Sequence, residues 1–191
     1  MNVNIRNLSG VPSVVYGILG LTIFVERLDG LTGGATPLAA GITIAVLVLP
    51  IVIITSAEAI RAVPASLREG GFGLGATRWE VIRTQVLPYA LPGILTGTVL
   101  ALARALGEAA PLLLIGAIDG RLSDAYSFLD PSQLKEPFTA LPIAITSWAG
   151  RPLNSGFFAL SAAAIIVMLA IVLLFNSAAI LLRNRFEKKR G

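Results

Sequence analysis

Two ionisable residues stand inside an otherwise apolar stretch, Arg104 and Glu108 of Ala101-Leu-Ala-Arg-Ala-Leu-Gly-Glu-Ala-Ala-Pro111-Leu-Leu-Leu114. A charge buried in such surroundings costs at least a few kcal/mol and marks a functional site by default. The spacing is i, i+4, so on a helix the two side chains share a face and can neutralise one another. That internal pair is the plainest account of Glu108. Arg104 offers more chemistry, because a guanidinium keeps its proton and forks onto the oxygens of an oxyanion. The sequence contains no His and no Cys, which removes thiolate chemistry, disulfides and most zinc or haem sites. A membrane-embedded enzyme built on Glu108 and Arg104 would therefore have few catalytic groups. We expect no catalytic residue and no metal site.

The elements that hold these residues are set by composition. The chain has 191 residues, of which 55% are hydrophobic and 14% charged, and its mean hydropathy is +0.80. A soluble domain carries roughly 25% charged residues. Continuous rather than alternating apolar runs predict an all-α, multi-pass membrane protein and not a barrel. Four spans are expected, over about 8–25, 37–57, 89–116 and 156–182. Pro50 should kink the second and Pro111 should break or kink the third. Gly93 and Gly97, four apart, are spaced for close helix packing. The apolar piece Phe138–Trp148 is too short to span and reads as interfacial or re-entrant, with Trp148 at headgroup level.

Between the second and third runs lies a charged segment, 58–88. It holds two S/T-x-x-E capping boxes, Ser66–Glu69 and Thr77–Glu80. Between them Gly70-Gly71-Phe72-Gly73-Leu74-Gly75 predicts a turn. The expected shape is helix, sharp turn, short helix, then a return to the bilayer through Leu87-Pro88. Trp79 and Ile82 share one face of the second helix. An amphipathic element resting on the membrane is the simpler reading of this pattern. A rigid knob for a partner is the sharper one. With four spans, the Lys and Arg residues of the two sets of connections divide 10 against 4. The richer set places both termini and 58–88 in the cytoplasm.

Energy must come from elsewhere. A phosphate-cradling loop needs Gly-Lys followed by Ser or Thr, and the three lysines, Lys135, Lys188 and Lys189, follow no glycine. Glu69, Gly75 and Ala76, followed by Val86-Leu87-Pro88, resemble the EAA loop of ABC importer permeases, although Gly70-Gly71 replaces the usual pair of alanines. The resemblance implies a type I permease fold whose coupling loop, carried here by Glu69, Gly75, Ala76, Leu87 and Pro88, docks on a separate ATP-binding subunit. No cofactor would be held by this chain, and ATP and Mg would belong to that partner.

A second resemblance is more specific. Arg104-x-x-Gly107-Glu108-x-Ala110-Pro111-Leu112 is similar to a stretch of the PstA-type permeases of phosphate ABC importers, with Ala109 where Thr is usual. Leu8–Gly17, Phe138–Pro142 and Leu182–Phe186 resemble the same family, so the likeness covers nearly the whole chain. It implies a bacterial or archaeal cell-membrane protein, with Arg104 and Glu108 on the substrate path and inorganic phosphate as cargo. The partners it implies are a PstC-like second permease, a PstB-like ATPase dimer, a PstS-like phosphate-binding protein and membrane lipid, with no nucleic acid. Because permeases of this family usually carry six spans, it also implies a shortened N-terminal part, and an inactive remnant is an alternative. Another oxyanion, such as sulfate or molybdate, is a further alternative, since any tetrahedral oxyanion suits an arginine.

Overall fold

The computed structural model describes residues 2–118, 131–152 and 156–188. The described residues contain helices, turns and loops and no strand. Residues 119–130, including Arg121, and the tail residues Lys189 and Arg190 lie outside them. In chain order the helices are α1 (Asn2–Ser9), α2 (Ser13–Leu19), α3 (Asp29–Thr32), α4 (Pro37–Arg61), α5 (Ala65–Gly73), α6 (Arg78–Val81), α7 (Leu87–Gly107), α8 (Ala110–Ile115), α9 (Leu141–Ala149) and α10 (Phe157–Lys188). Two wider, π-helical stretches, Gly20–Arg27 and Ile82–Val86, continue α2 and α6.

Among the described residues, three helices are long and apolar enough to cross a membrane: Pro37–Arg61, Arg78–Gly107 and Phe157–Ala178. The first expected span differs. Its helix does not begin near residue 8, because Gly10 to Pro12 interrupt it and Pro12 takes an extended conformation ahead of Ser13. The helix from Ser13 to Arg27 falls short of the roughly 20 residues a span requires. The third run breaks where Pro111 demands it. Helix α7 stops at Gly107, Glu108 and Ala109 are non-helical, and α8 restarts with Pro111 in its first turn.

The chain folds into two compact units. One comprises residues 10–48 and 104–173. Its core gathers Ala39, Ala40, Leu112, Ile115 and Ile143, so α9 is anchored by packing as well as being short. Gly17 lets α2 approach α8, since a Cβ there would sit 2.8 Å from the Pro111 Cα. Buried hydroxyls are satisfied within the chain: Thr32 donates to the Phe24 carbonyl (2.6 Å), Thr36 to Thr32 (2.8 Å) and Thr43 to Ala39 (2.8 Å), as buried polar groups require. The Arg151 guanidinium lies 4.1 Å above the Phe157 ring, beside Trp148.

The other unit comprises residues 1–9, 49–103 and 174–191. Val63, Val81, Val86 and Ala90 form its core. Here Gly93 and Gly97 do what their spacing predicts, receiving Ala59 and Thr55 of α4 against α7. A Cβ at Gly97 would collide with the Thr55 Oγ1. Gly97→Val is therefore expected to force the helices apart, costing about 1–3 kcal/mol and lowering the thermal midpoint of the detergent-solubilised protein. Gly41→Ala, in the same α4 but with open space around it, should leave the midpoint unchanged or raise it. Equal midpoints for Gly97→Val and wild type would disprove the contact.

Candidate functional site

The segment 58–88 forms a hairpin of short helices. Pro64, extended at φ −54° and ψ 139°, sets the start of α5 at Ala65. Ser66 thus lies inside the helix, and the first expected capping box does not form. The second does: the Glu80 amide donates to the Thr77 Oγ1 (3.4 Å) and the Thr77 amide donates to the Glu80 carboxylate (2.7 Å).

The glycine-rich stretch also differs from the expected turn. Helix α5 runs through Gly70, Gly71 and Gly73 and reverses only at Leu74-Gly75. Gly71 is buried against the following helix, where a Cβ would stand 2.8 Å from Val81 and 3.0 Å from Gln85. Its lack of a side chain is what lets α5 and α6 touch. Gly75 ends the helix in the left-handed region, at φ +79°. The Ala76 amide donates to the Gly71 carbonyl (3.2 Å) and the Gly75 amide to Phe72 (2.9 Å). This paired pattern closes helices whose next residue is a left-handed glycine.

Helix α6 does not end before the bilayer-directed run. It passes through the wider stretch Ile82–Val86 into α7, where the Leu87 amide donates to the Ile82 carbonyl five residues back. Pro88 explains the widening. Its ring has no N–H and crowds the carbonyl four residues earlier, so the backbone opens by one residue ahead of it.

The residues singled out for partner docking fall in two places. Glu69, Gly75 and Ala76 cluster at the hairpin, with Glu69 and Gly75 exposed and Ala76 packed on the Val63–Val81 core. Leu87 and Pro88 lie beyond the widened turn, both exposed. The hairpin also presents apolar surface to its surroundings: Leu74 is 88% exposed and Trp79 67%. Exposed apolar side chains on a polar segment are available to a partner or to the membrane surface. Phe72 and Leu74 were hidden in the sequence by the glycines around them.

Arg104 and Glu108 come together as expected. The Arg104 Nε donates to the Glu108 Oε1 at 3.1 Å, and the side chains are 44% and 17% exposed. The pair straddles the break: Arg104 is in the last turn of α7, where a cation offsets the uncapped carbonyls, and Glu108 sits in the non-helical link. One donor of the guanidinium is committed to Glu108. Its terminal nitrogens have no partner among the described residues.

The family model described as binding-protein-dependent transport system inner membrane component matches residues 5–189. The chain belongs to that family. By that family it is an inner membrane component of a transport system, and the described residues are helical as the sequence predicts, with three candidate spans in place of the expected four. Probable ABC transporter permease protein YqgI of Bacillus subtilis is 34% identical over 191 residues, covering 97% of this chain and 64% of that protein. Phosphate transport system permease protein PstA of Yersinia pestis is 36% identical over 183 residues, covering 96% and 57%. Phosphate transport system permease protein PstC 2 of Mycobacterium tuberculosis is 36% identical over 129 residues, covering 56% and 40%. The chain thus spans less than two thirds of the length of each of these relatives, from 40% to 64%. No solved structure gives a significant match.

Proposed function

We propose that this inner membrane component is a permease subunit of an ATP-driven phosphate importer. The observation that carries the reading is the 36% identity to a phosphate transport permease across 96% of the chain. The Arg104–Glu108 pair at the break between α7 and α8 supports it. In this reading both termini and 58–88 face the cytoplasm, and a second, similar permease completes the path. A separate pair of ATPase subunits, which hold ATP and Mg, dock on the hairpin that carries Glu69, Gly75 and Ala76. A binding protein delivers phosphate on the opposite side.

The chemistry follows from what the guanidinium leaves free. Phosphate carries one to two negative charges near neutral pH, and each hydrogen bond to a charged group contributes about 1.5–3 kcal/mol. The terminal nitrogens of Arg104 can fork onto two phosphate oxygens while Nε stays on Glu108. Glu108 holds the arginine in place and lowers the local positive charge, so that binding is followed by release. The test is uptake of labelled phosphate by cells that depend on this chain. Excess unlabelled phosphate should suppress it, and excess sulfate or molybdate should not. Equal competition by sulfate or molybdate would move the cargo to another oxyanion, and absence of uptake would refute the transport reading.

A further inference from the structure

The hairpin and the ends of the helices beside it enclose an open apolar groove of about 520 Å³. Its walls are Ile60 from the last turn of α4, Phe72 from α5, Val81 from α6, and Ile82, Val86 and Leu87 from the widened turn and the start of α7. The polar members of the lining are two arginines, Arg68 and Arg78. The Arg68 Nη2 donates to the Ile60 carbonyl at 2.8 Å, satisfying one open carbonyl at the end of α4. Its Nε is buried and has no hydrogen-bond partner, a deficit that costs free energy unless an acceptor supplies the bond. Arg78 is exposed, and among the described residues it pairs with no carboxylate. The groove lies where two candidate spans, Pro37–Arg61 and Arg78–Gly107, reach the polar segment.

We propose that this groove binds one anionic phospholipid, with an acyl chain along the apolar walls and the headgroup phosphate on Arg68 and Arg78. Charge complementarity selects the headgroup, since basic pockets at the ends of membrane helices take anionic lipids. The walls select the tail. An acidic peptide in the same place would bury backbone amides against side chains that offer no hydrogen bonds, whereas an acyl chain needs none. Inorganic phosphate alone would leave the walls in water. The proposal is independent of the cargo and uses none of the residues assigned to phosphate.

The purified protein in detergent, titrated with phosphatidylglycerol or with phosphatidylcholine of the same acyl chains and followed by native mass spectrometry, tests it. Phosphatidylglycerol should bind at least about five-fold more tightly, the effect of one basic residue near a headgroup. Arg78→Glu should abolish the preference and Arg78→Lys should keep it. Both replace an exposed side chain, so folding is preserved. Ile82→Asp, half-exposed in the wall, should weaken both lipids. A photo-reactive group at Ile82 in native membranes should label lipid. Equal binding of the two lipids overturns the proposal, and so does a preference that survives Arg78→Glu. Displacement of phosphatidylglycerol by millimolar inorganic phosphate, or labelling of a protein subunit instead of lipid, also overturns it.

Discussion

Arg104→Ala is expected to abolish phosphate uptake by the assembled transporter while leaving assembly intact. Two charge-assisted hydrogen bonds to phosphate at about 1.5 kcal/mol each amount to a loss on the order of 100-fold. Folding should change little, because Arg104 is 44% exposed and makes one ion pair, to Glu108 at 3.1 Å. A pair that exposed contributes at most about 1 kcal/mol. Glu108→Gln separates the pathway role from mutual neutralisation. If Arg104 lines a wet path, the neutral amide leaves assembly unchanged and alters the apparent affinity for phosphate. If the two residues only cancel one another within lipid, Glu108→Gln strands a charge there and the subunit is lost from the membrane. Quantifying the permease in membranes alongside labelled-phosphate uptake distinguishes these outcomes. Normal uptake by an assembled Arg104→Ala complex would sink the pathway role.

What the sequence disclosed was whatever depends on neighbours a few residues apart. Pro111 breaks the third run because its ring forbids the helix at one place. The Thr77–Glu80 box and the Arg104–Glu108 pair close over three and four residues. Gly93 and Gly97 announced close packing, though not that Ala59 and Thr55 would fill the space. Readings failed where tertiary contact or a competing local signal decided the outcome. Ser66 had the composition of a cap, but Pro64 started the helix ahead of it. Gly70, Gly71 and Gly73 read as a turn, yet the contact of Gly71 with Val81 and Gln85 holds them helical. The first run is short and reached span length only with a helix start near residue 8, which Gly10 to Pro12 interrupt. The groove on Arg68 and Arg78 had no signature at all, since its walls are drawn from positions 60 to 87 and meet only on folding.

Coupling should be lost when the reversal at Gly75 is altered. Gly75 holds φ at +79°, which costs a residue with a Cβ roughly 1–2 kcal/mol. Gly75→Val should therefore reduce the population of the native reversal on the order of tenfold, displacing Leu74 and Trp79, the exposed apolar side chains on either side of it. Asn adopts this conformation more readily than other residues with a side chain, so Gly75→Asn should largely keep the function. The quantity to measure is phosphate transported per ATP hydrolysed by the complex in proteoliposomes. Gly75→Val should lower that ratio while ATP hydrolysis continues, because in the proposed assembly ATP is held by a separate subunit. Glu69→Gln acts on the same surface without touching the backbone. Glu69 is exposed and forms no ion pair among the described residues, so its carboxylate is available to a basic group on the proposed ATPase partner. Replacing it should uncouple transport with no change in the thermal midpoint of the permease. Unchanged coupling in both Gly75→Val and Glu69→Gln would remove the hairpin from the docking role and return it to a surface element lying on the membrane.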